Sequence, residues 1–150
     1  MKKIWIVAIA LLLCMGCFVS CASLEQEIGR TASVALLDTV QTELESAGFD
    51  TLDRYDQAEI DAYVAELNQD DVTLQAEVTG VIFGRYDNPE TGHWVEQAAI
   101  GVCTNADAET LVQYYQAEYA TEIAEGRAEV VGGGWVVSVT VSSLVLESAE

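Results

Sequence analysis

The residues able to do chemistry in this chain are few and scattered. It has one histidine, His93, and four cysteines, Cys14, Cys17, Cys21 and Cys103. A nucleophilic Cys–His pair needs its two side chains within hydrogen-bond reach, about 3 Å. The run from Trp94 to Cys103 reads as a single strand, which at ~3.3 Å per residue separates His93 from Cys103 by roughly 33 Å. The distance excludes the pair. His93 then reads as a loop residue bonded to Asp87 or water, with a ligand or base as the lesser alternative. Cys103, among apolar β-formers, reads as a small core residue rather than a reactive thiol. There is no HExxH or GxSxG. The one CxxC, Cys14-Met15-Gly16-Cys17, lies in an apolar N-terminal run. One histidine and so few cysteines beyond that run leave no ordinary zinc set.

Carboxylates are abundant, so a pair of them means little. The densest set, Asp50, Asp53 and Asp56 with Glu59, falls in an expected loop, and calcium favours such oxygen clusters. The D-x-D-x-D-G spacing of an EF-hand is missing, however, and Asp56 followed by Glu59 reads as a helix-capping pair. No metal is therefore assigned, with Asp50, Asp53 and Asp56 as weak candidates. Gly132-Gly133-Gly134 has neither a lysine nor a following helix and makes no phosphate cradle. Tyr114, Tyr115 and Tyr119 could form a platform for carbohydrate or peptide, but Tyr115 and Tyr119 fit an apolar core stripe. The exposed binding candidates are Trp94, Tyr114 and His93. No catalytic residue and no cofactor is assigned.

Periodicity supplies the elements that must position these groups. Leu24 to Ala47 repeats apolar residues at three and four and ends at Gly48, where a C′ glycine belongs. Asp56 to Leu67 is a second helix. The period then changes to two from Val72 to Arg85, with Gly80 and Gly84 marking a bulge or close packing. Asp87-Asn88-Pro89-Glu90-Thr91-Gly92 is a turn cluster, and Trp94 to Cys103 returns as the second arm of a hairpin. Thr104 or Asn105 caps a helix running to about Gly126, with Leu111, Val112, Tyr115, Tyr119 and Ile123 on its inner face. Glu129 to Val131 and Trp135 to Ser143 form the last hairpin across the three glycines. In the final strand Ser138, Thr140 and Ser142 alternate with valines, which implies one wet face. The expectation is an α+β fold in order α-α-β-β-α-β-β: a two-layer, four-stranded antiparallel sheet of two hairpins, covered on one face by helices.

The N-terminus fixes an address. Lys2 and Lys3 precede an apolar run, Ile4 to Val19, then Ser20 and Cys21. A charged start, an apolar stretch and small residues before a cut site form an export signal. Phe18-Val19-Ser20-Cys21 resembles the lipobox of a bacterial lipoprotein, departing from it in having Phe18 where Leu is usual. The resemblance implies cleavage before Cys21, removal of residues 1–20 as a signal peptide, and firm attachment of a single domain, 21–150, by lipid such as palmitate. Cys17, preceded by Gly16, is the alternative lipid site. A plain secretory signal and an uncleaved transmembrane anchor are the rival readings, the run being borderline for the ~20 apolar residues a span needs. All three leave the lysines on the cytoplasmic side and the rest outside. The element order, with Gly133-Gly134-Trp135-Val136, also resembles small bacterial lipoproteins carrying an uncharacterised domain, a resemblance that implies no active site.

Charge narrows the partners. Beyond residue 20 the chain holds four arginines (Arg30, Arg54, Arg85, Arg127) and no lysine against all 25 acidic residues, which leaves −21. Such a surface repels nucleic acid, which is excluded as a partner, and anionic headgroups. Solubility or salt adaptation explains the acidity, and attraction of cations or of a basic partner is the sharper reading. The leading expectation is a non-enzymatic binding or accessory lipoprotein, lipid-anchored on the extracytoplasmic face of the cell membrane. It would offer the polar sheet face, or the hairpin loop 87–93, to an envelope protein or peptide. The alternative is a small carboxylate-dependent cell-envelope hydrolase, which needs two carboxyls ~5 Å or ~6.5–9.5 Å apart across a cleft. A scavenger of solutes or cations is a third reading, resting on charge alone.

Overall fold

A computed structural model of the chain describes residues 22–132 and 134–146. Helix α1 (Ala22–Ser46) is followed by strand β1 (Thr51–Arg54), helix α2 (Gln57–Gln69), strands β2 (Val78–Asp87) and β3 (Trp94–Val102), helices α3 (Asn105–Glu118) and α4 (Ala120–Ala124), and strands β4 (Ala128–Val131) and β5 (Val136–Ser142). The strands form one sheet in the order β1-β2-β3-β5-β4, and every neighbouring pair is antiparallel.

The α+β class and the two hairpins match the sequence reading, but three details are corrected. The sheet has five strands rather than four. The fifth, β1, pairs with β2 from Thr51↔Arg85 to Arg54↔Ile82. The element order is therefore α-β-α-β-β-α-α-β-β. The domain also has three layers rather than two, because helices cover both faces of the sheet. Alternate residues of each strand point to opposite faces. Ile82, Ala99 and Val136 pack under Leu37, Val40 and Leu44 of α1. Val81, Ile100, Val102 and Val137 pack against Ile60 and Leu67 of α2 and Ala108 and Leu111 of α3. Full burial of an aliphatic side chain of this kind contributes roughly 1.5–3 kcal/mol.

Double coverage explains why the serine–threonine face of β5 is not wet. Ser138, Thr140 and Ser142 are all buried. Gln97, opposite Thr140 on β3, is buried with them and donates from Nε2 to Ser138 Oγ at 3.1 Å.

Helix α1 lies close to the sheet because glycines leave room for it. A β-carbon at Gly80 would come 2.7 Å from Leu37 Cδ1, and one at Gly101 2.8 Å from the same methyl. Both expectations for the first hairpin arm hold at once, since the register also slips between Val78 and Gly80. The turn after the helix closes at Gly48, in the left-handed region at φ +83. The Phe49 amide there returns to Leu44 O at 3.2 Å.

The first hairpin arm begins later than its alternation implied. Residues 72–77 are irregular, and Val72 and Leu74 pack into the helix-side core instead of pairing. The long C-terminal helix is interrupted at Tyr119, which caps both α3 and α4, and Ile123 is exposed rather than part of a core stripe. The Asp56/Glu59 capping box is present: Asp56 Oδ1 accepts from Glu59 N at 2.9 Å and Glu59 Oε2 accepts from Asp56 N at 2.7 Å. Of the two residues considered for the α3 cap, Thr104 fills the role, its Oγ1 accepting from Asp107 N at 3.1 Å. No described helix is long and apolar enough to cross a membrane.

Candidate functional site

Antiparallel register builds one cluster at the turn end of the β2–β3 hairpin. Counting back from the turn sets Asp87 opposite Trp94 and Arg85 opposite Glu96. Residues on the same face of adjacent strands interact directly or diagonally. Arg85 uses that geometry fully. Its Nε and Nη2 donate to the two oxygens of Asp87 at 3.0 and 3.1 Å, and its Nη1 donates to Glu96 Oε1 at 2.5 Å. Its guanidinium carbon stands 5.1 Å from the centre of the Trp94 ring. A guanidinium over an indole face is attracted by the ring quadrupole. Asp87, then Glu96, push the Arg85 pKa further up, so the group is a fixed cation.

The loop beside this cluster is ordered by its own polar groups. Asn88 Oδ1 accepts from Glu90 N at 2.9 Å and Thr91 N at 3.3 Å, and Asn88 N donates to His93 O at 2.7 Å. Gly92 supplies the positive φ, +73, that closes the turn. Trp94 is half-buried and pinned from behind, its amide donating to Ser143 Oγ at 2.9 Å while its carbonyl accepts from Ser143 N at 3.0 Å. The expected His93–Asp87 bond gives way to Arg85, which occupies both oxygens of Asp87. What results is a rigid aromatic patch beside a preformed loop. Its charges, Arg85 against Asp87, Glu90 and Glu96, leave it net acidic, which suits a basic or cationic contact rather than an anion.

The other candidates are dispersed. Tyr114 is half-buried on α3, its hydroxyl donating to Asp70 Oδ2 at 2.7 Å. That bond, followed by burial, raises its pKa. Asp50 precedes β1, Asp53 lies in the exposed edge strand, and Asp56 caps α2, so the three do not form one loop cluster. Among the described residues no group of three His, Cys, Asp or Glu side chains is placed to hold a metal ion. Cys103 is fully buried just beyond the end of β3, the opposite end from His93. Burial, then the charge of Glu77, pushes its thiol pKa up, away from the reactive thiolate. Cys17 and Cys21 lie outside the described residues.

Two polar features escaped the sequence reading. Asp107, expected only as a favourable charge in the first turn of a helix, is 1% exposed. Its two oxygens accept the amides of Gln75 at 2.7 Å and Ala76 at 2.9 Å, which holds the 72–77 segment against α3. The unbroken alternation from Val72 to Val78 gave no signal of it. The second feature lies under α1, where Glu43 Oε2 and Gln97 Oε1 are buried acceptors with no donor among the described residues. Burial raises the Glu43 pKa. Nothing in the sequence distinguishes Glu43 from the other acidic residues of α1.

No protein-family model matches the chain, and neither curated proteins nor solved structures yield a match.

Proposed function

We propose that this chain is a lipid-anchored lipoprotein of the bacterial envelope, attached through Cys21, or alternatively Cys17. In this reading it is a non-enzymatic module whose hairpin end, residues 87–96, binds a basic segment of an envelope protein or peptide. The observation that carries the reading is the N-terminal run itself: Lys2-Lys3, the apolar stretch and Phe18-Val19-Ser20-Cys21. Two structural facts support the binding part. The Trp94–Arg85 patch is rigid and net acidic, and it stands at the end of β3 remote from α1's first turns, which pack by Cys103. The buried Ser138, Thr140 and Ser142 leave the hairpin end as the surface offered, in place of the polar sheet face.

Two measurements test the proposal. Radiolabelled palmitate should enter the wild type and Cys17→Ala but not Cys21→Ala; persistence of label in Cys21→Ala moves the anchor. Crosslinking in envelope preparations from a photoreactive residue at Thr91 should give a partner adduct that Trp94→Ala reduces about tenfold. Adducts unaffected by Trp94→Ala would remove the hairpin end from the interaction.

A further inference from the structure

We infer that the first two turns of α1 form a rigid foot that lies in the headgroup layer of a phospholipid membrane, with Leu24 and Ile28 inserted at the acyl boundary. The inference rests on the lipid-anchor reading and adds to it an orientation. Regular helix is already present at Ala22, one residue after the proposed lipid site, so no slack chain separates anchor from domain. At 1.5 Å per residue, Leu24 and Ile28 lie roughly 3 and 9 Å along the axis from Ala22, the first described residue. A helix lying in the interface buries its apolar face ~5–10 Å into the headgroup–acyl boundary, the depth the proposal gives Leu24 and Ile28.

Both side chains are outward-facing aliphatics. Leu24 is 49% exposed and Ile28 40%, and a spacing of four stacks them on one side of the helix. Of the two acids between them, Glu25 is turned back to the domain, where Oε1 accepts the Asn105 amide at 3.1 Å, and Glu27 is exposed, at the level of the headgroups in this reading.

The foot cannot swing independently of the body. Gly29 packs so tightly that a β-carbon there would come 2.7 Å from both the Cys103 carbonyl carbon and Trp135 Cε3. One residue later Arg30 is ion-paired to Glu77, and Ser33 Oγ is 2.7 Å from Thr79 Oγ1. With the first turns held at the bilayer, the 88–93 loop at the far end of β2 and β3 becomes the distal tip. The charge of −21 outside the leader selects a zwitterionic surface over an anionic one.

Spin labels test this in the acylated protein, purified from membranes and reconstituted in phosphatidylcholine vesicles. Leu24→Cys, Ile28→Cys and Thr91→Cys would each be made in a Cys103→Ala background. Labels at 24 and 28 should collide more with oxygen than with a water-soluble nickel chelate, and the label at 91 should show the reverse. Acylated protein whose labels at 24 and 28 read water as fully as the label at 91 overturns the foot and leaves the anchor standing. An intact mass showing no acyl chain on the purified protein overturns the anchor, and the foot with it. Protection of amides 24–28 from hydrogen exchange by the same vesicles gives the readout without substitution, and its absence in the acylated protein counts equally against the foot.

Discussion

The hydroxyls of Tyr63 and Tyr115 lie 2.6 Å apart, one from α2 and one from α3, and tie the two helices of one layer together. Burial pushes Tyr115 up to about 12, with the Tyr63 hydrogen bond opposing the shift, and burial raises Tyr63 further. A folded-state pKa above the unfolded value of ~10 means that the contribution is full below pH ~10 and is lost as pH rises toward about 12. Ultraviolet titration should therefore show these two phenolates appearing together with unfolding, not before it. Tyr63→Phe should cost about 1–2 kcal/mol in urea unfolding at pH 7, because it leaves Tyr115 without its partner.

Gly29 has no room for a side chain. Gly29→Ala should destabilise by about 2–3 kcal/mol, the cost of overpacking against a main-chain wall. Thr31→Ala, at an exposed position on the same helix, should stay within ~0.5 kcal/mol. Both substitutions raise helix propensity, so destabilisation by Gly29→Ala alone in chemical denaturation isolates the loss of packing.

Asp107 holds its segment by charge-assisted bonds in a buried setting. Asp107→Ala should cost about 3 kcal/mol, since two amides lose a carboxylate acceptor. Hydrogen exchange should locate the loss at Gln75 and Ala76, with the β2–β3 ladder affected only through global stability.

Glu43 should respond to pH in the opposite direction from a salt-bridged carboxylate. Its raised pKa favours the fold below the usual carboxylate range, and that contribution is lost as pH rises through it. Glu43→Gln should therefore stabilise the protein at pH 7, with the advantage vanishing by pH ~3.5, below the ordinary Glu value. Equal gains at both pH values would show that the charge is not the cause.

The parts of this fold legible in the sequence are those set by neighbours in the chain. The Asp56/Glu59 box, the cap at Thr104, Gly48 and the Asn88–Gly92 turn all depend on residues within a few positions of one another. Strand β1 was hidden because Thr51-Leu52-Asp53-Arg54 has no apolar alternation, and only β2 makes it a strand. The third layer was hidden because serine and threonine on β5 look solvent-facing until α1 covers that side of the sheet. The candidate site was legible in part. Trp94 and His93 were singled out, but Arg85 was not, although its position opposite Glu96 follows by counting from the turn. The Asp107 clamp needs contacts across 31 and 32 residues of chain, beyond any local pattern.

The course of β2 and β3 has a mechanical consequence. Both strands run between the Gly29–Cys103 contact and the 88–93 loop, and their hydrogen bonds lie across that direction. A pull applied between the two ends would load the rungs that join this hairpin to β1 and β5 in shear, all together, instead of opening them one by one. The four-residue edge strands β1 and β4 would instead yield to peeling, rung by rung.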